Sequence, residues 1–499
     1  MKMENFAINI KFPNHEKILS EINSFFEESF GFGIARTQFY RIEELFKKMR
    51  ENISFVLEYP YIDKHHLDCY STYFSTKFGI FQKDCIRVHI FEKDIDAIHI
   101  EKIYEDTSID LLKKSYLGFF ILRPLSEKPL GRSLISPKAF AKNNFYCCIM
   151  QQKVSLCGIE LNVDGFPHVA QDGEMHTCAE SAIWSLVNYY SSKYENYKYI
   201  SPSEVLNSSS EVTQHRSLPS IGLNVGEIAL CLKSKGFHCV VYNKDRIINI
   251  TLREVINLYI ESGIPVLIVI ATEKAGHAVL AIGHVNEKIS IPEKKVWEDV
   301  CGFDKGLVFI DDNKPPYQLA KFDNPTENYK DKIKEEIFKD MKIQSLIVPM
   351  PRYVYLEADH AMSLVKDIFE TGKTALSLTN KKWRTRLLLT RSRSYKSWIV
   401  KEGGIAEIVL KKILMLIKLP EFVWICEIYT GDGYANENAS GLLILDATGN
   451  VSLSSVLFYC LEKELYSLSN DRTHWENPNM LLNAFTIKTY KHNLKGEWS

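Results

Sequence analysis

The sequence predicts an α+β fold, and three observations predict it. First, Ala179, Ala182, Ile183, Leu186, Val187 and Tyr190 follow the spacing of one face of an α-helix. Second, Val266–Ile270, Gly276–Gly283 and Leu307–Ile310 are short apolar runs bounded by glycine, proline or acids, the signature of strands. Third, three helix starts lie between them. Ser201 precedes Pro202 at a first helical position, and Asn224 with Glu227 and Thr251 with Glu254 form capping boxes. Helices first and strands later is the order of an α+β unit with an antiparallel sheet.

A chain of 499 residues is long enough for two to four domains. Its hydrophobic content of 45% and charged content of 25% are those of an ordinary soluble protein. With a net charge of −1, the whole chain has no electrostatic pull toward nucleic acid or an anionic membrane. The N-terminal residues lack the apolar run of a signal peptide. The most apolar long stretch, Ile405 to Leu419, carries Glu407, Lys411, Lys412 and Lys418, so it reads as a core or amphipathic helix and not a membrane span. The eleven cysteines are odd in number, and no Cys-x-x-Cys occurs. Free thiols in a reducing cytoplasm are the simplest reading, with no metal and no cofactor expected.

Residues 1–144 read as a separate mixed α/β module. An amphipathic opening over 15–50 precedes a strand, Ile53–Pro60, and a second apolar strand, Tyr116–Leu122, ends on Arg123-Pro124. His65 and His66 lie beside Asp63 and Asp68; a metal site is one reading and a solvated polar loop the other, which is expected. The central module, 145–325, begins with Phe145–Gln151 and Val154–Leu161 as two strands of a hairpin. Its helices and strands follow, with Phe237–Tyr242 as a further strand. The last module, 326–499, opens on a charged helix, Tyr329–Met341. Strands at Gln344–Pro349 and Tyr353–Leu356, a helix at Ala361–Phe369 and a closing strand pair, Trp424–Tyr429 with Leu442–Thr448, come next.

Candidate chemistry centres on Cys178. It stands where a polar segment becomes a helix, with Thr177 as N-cap. A thiol there sits by unpaired N–H groups and the positive end of the helix dipole, an environment that favours the thiolate nucleophile. The same N–H groups can hold the oxyanion of an acyl-transfer intermediate. A base and an orienting group must accompany it. His277 opens the strand Gly276–Gly283, and Asp311 and Asp312 close the strand Leu307–Ile310. His284, seven residues on, falls on the opposite strand face from His277. His176 is too close to Cys178 along the chain to serve as its base and is expected to line the cleft or do nothing. Glu180 suits the first helical turn.

Cysteine at a helix start, histidine at a strand start and acid at the next strand end resemble papain-like cysteine peptidases. The short core looks closest to the bacteriocin-processing peptidase domains of transporters. The resemblance covers roughly residues 165–320. It implies a papain-like core flanked by two mixed α/β modules, and a triad of Cys178, His277 and Asp312, with Asp311 as the substitute acid. Two departures stand out. Gln171 lies seven residues before Cys178, one farther than the family's oxyanion glutamine. The acid follows His277 by 35 residues because an insertion, 285–306, separates the two strands. Trp297 and Phe303 in that insertion suggest that it packs on a flanking module beside the cleft; an exposed hairpin extension is the equal alternative.

The implied activity is hydrolysis of peptide or isopeptide bonds, with a protein or peptide substrate. Alternatives are cysteine-dependent acyl transfer to an amine, as in transglutaminase-like enzymes, and an inactive peptidase-like fold that binds protein or nucleic acid. Three packed modules suit a regulated protease of bacterial stress or defence, though no residue carries that part. Lys381, Lys382, Arg384, Arg386, Arg391, Arg393 and Lys396 form an acid-free basic run with Trp383 and Tyr395 interleaved. It reads either as a site for an acidic or nucleic-acid partner or as one solvated face of a strand pair.

Overall fold

In the computed structural model, residues 9–11, 17–79, 81–92, 95, 100, 102–243, 245, 250–286, 297–329, 338, 340–371, 383–402, 404–449, 455–461, 464–468, 475–476 and 486–498 are described. The amphipathic spacing near the N-terminus becomes two helices, α1 (Ile18–Phe30) and α2 (Arg36–Lys48). They cover one face of a sheet whose strand order is β1 (Asn9–Lys11), β2 (Ile53–Tyr61), β3 (Cys85–Glu92), β4 (Tyr116–Leu122) and β5 (Leu130–Ile135). Strand alternation divides its side chains. Phe55 and Leu57 join Phe25, Phe26 and Phe30 of α1, whereas Val56, Phe119 and Ile121 pack on the other face.

That second face is closed by residues of α4 (Asp106–Ser115) and of a β-hairpin. Phe145–Cys147 (β6) is not part of the hairpin, contrary to the sequence reading; it pairs with the central sheet. The hairpin is β7 (Met150–Leu156) with β8 (Ile159–Gly165). Its turn falls at Cys157-Gly158, whose positive φ values of 49° and 85° suit a tight hairpin turn. Val154 therefore belongs to the first strand and not the second. The next strand, β9 (His168–Val169), adds to the edge of the N-terminal sheet by pairing with β5.

The chain then enters α5 (Cys178–Lys193), followed by α6 (Pro202–Ser210), α7 (Val225–Ser234) and α8 (Leu252–Glu261). The last three start where their caps predict: Ser201, Asn224 and Thr251 each accept the N–H of the glutamate at the third helical position. Helix α5 is buried on nearly every side, with Glu180, Ser181, Ser185 and Asn188 enclosed beside its apolar face. A helix in that position is a core element rather than a surface helix.

The central strands are β10 (His238–Asn243), β11 (Val266–Ala271), β12 (Gly276–Val285), β14 (Leu307–Ile310), β15 (Gln318–Ala320) and β16 (Lys342–Met350), with β13 (Trp297–Asp299) in the insertion. The sheet runs β10-β16-β11-β12-β14-β15, with β6 also on β12, and every pairing is antiparallel. Strand β16 pairs between β10 and β11 although it lies beyond residue 325, where the sequence reading ended this module. Gly283 lets β6 approach β12, since a Cβ there would meet the Tyr146 carbonyl oxygen at 2.1 Å. Gly283→Ala should lower stability by about 1–3 kcal/mol through that backbone clash. A melting temperature equal to that of the parent protein would show that β6 can shift freely.

The third sheet joins β13, β17 (Trp383–Arg391) and β18 (Phe422–Thr430) to strands at Gly441–Asp446, Val456–Leu461, Glu464–Leu468 and Trp475–Glu476. The predicted closing pair is thus present. Tyr353–Leu356 is not a strand; Tyr355 and Leu356 donate their N–H groups to Ala447 instead. The helix at Ala358–Thr371 (α9) is present, whereas most of the helix expected over 329–341 lies outside the described residues. The sheet's other face packs with α10 (Ser392–Lys401) and α11 (Ile408–Leu416), the core of the second helix being Leu410 and Leu414.

The insertion leaves the central module through β13, which pairs in parallel with β17. Trp297 stacks on Phe369 and donates its indole N–H to Thr385, and Phe303 is buried. It therefore packs on the C-terminal sheet; residues 287–296 lie outside the described residues. The basic run does not form a continuous cationic face. Arg386 is buried between Glu261 and Glu427 at 2.7 and 2.9 Å, Arg391 pairs with Glu421, and Lys396 donates to the carbonyls of Met415 and Ile417. Trp383 and Tyr395 are buried, out of reach of a stacking base, and Lys381 and Lys382 lie outside the described residues. Among the described residues, no helix is long and apolar enough to cross a membrane.

Candidate functional site

The segment before Cys178 is held by the N-terminal module. Strand β9 fixes its start on β5, and the Asp172 carboxylate then accepts the N–H groups of Glu174, Met175 and His176 at 2.9, 2.7 and 2.9 Å. Buried Arg123, whose Nη1 lies 3.9 Å from Asp172, also donates to the Gln171 carbonyl. At the helix start, Glu180 reaches back to the N–H and hydroxyl of Thr177 at 3.2 and 2.5 Å, and Ser220 donates to its other oxygen. This capping box engages residues 177 and 180, so it orients the first turn without covering the thiol. Cys178 is half-buried at the first helical position.

The thiol meets His277, which opens β12 and is only 5% exposed. The ring faces Cys178, which helps to raise its pKa, and is hydrogen-bonded to an acid. That acid is Asp311: its Oδ1 lies 3.0 Å from His277 Nε2, whereas Asp312 Oδ1 lies 3.8 Å away. The expected partner, Asp312, is thus one residue too late. Strand β14 ends at Ile310, and beyond it the chain turns, so strand alternation no longer decides which carboxylate faces β12. Asp311 Oδ1 accepts the Asn313 N–H at 2.8 Å, an Asx turn that aims the carboxylate at the ring.

Two residues unseen in the sequence reading complete the pair. Tyr329 donates its hydroxyl to Asp311 Oδ2, and the Phe338 ring stands edge-on to His277 at 5.2 Å. Both come from a stretch whose pattern suggested only a charged helix. The Asp-Asp-Asn turn signal at 311–313 could have favoured Asp311.

The electrostatics separate the two acids. Burial opposes the Asp311 charge, but the His277 charge, its hydrogen bond and those from Tyr329 and Asn313 hold the carboxyl well below the usual range. Burial would also lower His277, yet Asp311 and then Cys178 raise it well above its ordinary value of 6.5. Burial, reinforced by the adjacent Asp311 charge, pushes Asp312 up to about 7. Asp312 instead accepts from Asn313 Nδ2 at 3.1 Å.

Gln171 lies on the acid side of the site, where its Nε2 donates to Asn313 Oδ1 at 2.5 Å. Arg41 of α2 donates to the same oxygen at 3.1 Å, so the N-terminal module braces the acid loop. His284 is drawn into a different network, 3.0 Å from Glu261. His176 is buried, neither of its ring nitrogens has a hydrogen-bond partner among the described residues, and its ring lies 5.1 Å from that of His65. The structure thus brings together Cys178, His277 and Asp311, with Asp312 adjacent, and leaves Gln171, His176 and His284 in other contacts. The chain matches no protein-family model, and no curated protein is similar enough to count as a relative.

Proposed function

We propose that the protein is a cysteine-dependent peptidase that hydrolyses peptide or isopeptide bonds, with Asp311 as the acid. The observation that carries this reading is the His277–Asp311 hydrogen bond at 3.0 Å with Cys178 beside the same ring. Its support is chemical. Asp311 uses His277 Nε2 and thereby leaves Nδ1 as the nitrogen available to the thiol. His277 takes the thiol proton, the sulfur attacks the carbonyl carbon, and the carbonyl π electrons move to oxygen. His277 then returns the proton to the leaving amine, and water hydrolyses the thioester with His277 again as base. N–H groups of the first turn of α5 are the candidate oxyanion donors. The order of helix, smaller helices and antiparallel sheet supports a papain-like core.

The test is selective alkylation. Iodoacetamide, or an acyl-chloromethylketone, should label Cys178 before any of the other ten cysteines, including the exposed Cys157. His277→Ala should remove that preference. Labelling that follows exposure, with Cys157 ahead of Cys178, would sink the peptidase reading.

A further inference from the structure

Helix α3 (Lys64–Thr72) brings a second cluster to the junction between the N-terminal and central modules. Its first turn is fixed by Asp63, which accepts the N–H groups of His65 and His66 at 3.1 Å each and pairs with Arg132 at 2.6 Å. His65 and Cys69 are four residues apart and so share one helix face. The His65 Nδ1 to Cys69 Sγ distance is 3.9 Å. Opposite them stands His176, held by the Asp172 turn described above. One ligand-type atom from each of His65, Cys69 and His176 lies within 4.8 Å of the others. All three residues are 1% exposed. His66 points elsewhere, to the Gln82 carbonyl at 3.0 Å, and Asp68 accepts from Ser203. The two histidines are therefore not a solvated pair: both are buried, and they part company on the helix.

This cluster is polar and only partly satisfied, since His65 Nδ1 and Cys69 Sγ hydrogen-bond to each other. Neither ring nitrogen of His176 and not the Nε2 of His65 has a hydrogen-bond partner among the described residues. Leaving such groups buried and unpaired is costly, and a structural role as plain core packing would favour apolar side chains. Burial disfavours the charged form of both imidazoles, and the neutral form is the one that binds a metal.

We propose that His65, Cys69 and His176 form a zinc(II) site that staples α3 to the segment entering Cys178. Two imidazoles and a thiolate are a borderline-soft donor set, suited to zinc and unsuited to magnesium or calcium, which take oxygen ligands. Binding displaces the Cys69 thiol proton to solvent, so the net charge added is one positive unit per zinc. The buried Asp172 carboxylate, itself 3.9 Å from Arg123, stands beside His176. The fourth tetrahedral position falls to water. This site is separate from the Cys178–His277–Asp311 group and does not depend on the peptidase reading.

The test uses full-length Cys178→Ser protein, so that the candidate nucleophile cannot serve as a ligand. After metal removal it is titrated with cobalt(II). The expected result is about one bound equivalent with tetrahedral visible bands and a sulfur-to-cobalt charge-transfer band, both displaced by zinc. Adding Cys69→Ser should remove the charge-transfer band, and His176→Gln should weaken cobalt binding by more than about a hundredfold, beyond the loss expected for an outer-shell partner. If Cys69→Ser does not fold by circular dichroism, the parent spectrum and the His176→Gln affinity decide. No bound cobalt, an octahedral spectrum without sulfur charge transfer, or an unchanged band in folded Cys69→Ser would each overturn the site.

Discussion

Cys178→Ser is expected to leave a folded protein that no longer hydrolyses peptides. The substitution is nearly isosteric, and its site is half-buried at the start of a helix whose stability comes from the residues beyond it. Ile183, Leu186, Val187, Tyr189 and Tyr190 carry the packing, and the Thr177–Glu180 box still holds the first turn. The melting temperature should therefore move by no more than about 2 °C. Turnover depends on the sulfur itself, and loss of the nucleophile from a triad lowers kcat by about 10⁶-fold. Peptide hydrolysis that survives in Cys178→Ser, with melting unchanged, would assign the activity to other residues. A large fall in melting temperature would instead make Cys178 a packing residue and remove the basis of the proposed function.

The parts of the fold that were legible share a local cause. Three helix starts were readable because a cap is a short-range device: Ser201, Asn224 and Thr251 each satisfy an N–H three residues on. Apolar strands such as Val266–Ala271 announced themselves by composition. What could not be read is non-local. Strand β16 looks like any other apolar run, and its place between β10 and β11 is set by pairing across a long stretch of chain. The ion pairs within the cationic run were hidden for the same reason, because the partners of Arg386 are Glu261 and Glu427, far apart in sequence. His65 and His176 are more than a hundred residues apart, and neither has a local pattern that points to the other.

The proximity of Cys178 and His277 was legible, since a thiol at a capped helix start and a histidine at a strand start are both local features. The acid was not, because the choice between adjacent aspartates depends on a turn beyond the strand. Tyr329 and Phe338 reach His277 and Asp311 from a stretch with no sequence motif, so only the folded chain brings them there.

Asp311→Asn should cost far more activity than Asp312→Asn. The amide keeps the shape of the carboxylate but can neither stabilise a charged imidazole nor enforce its tautomer, and in serine triads that loss is about 10⁴-fold in kcat. Asp312 lies 3.8 Å from the ring and is pushed up to about 7, so replacing it removes a group that is already partly protonated near neutrality. The pH dependence has a definite sign. Asp311 is depressed, so its contribution to stability is present above its ordinary value of 3.8 and is lost as pH falls through the folded value. His277 is raised, so its contribution is full below 6.5 and is lost as pH rises through its folded value. The stability gap between the parent protein and Asp311→Asn should thus be widest between pH 3.8 and 6.5 and narrow on either side. Nuclear magnetic resonance of the His277 ring should show its titration moving to lower pH in Asp311→Asn, because the Asp311 charge is the main cause that raises it. If Asp312→Asn is the damaging change and the His277 titration is indifferent to residue 311, then the 3.0 Å contact does not orient the base, and Asp312 takes its place in the mechanism.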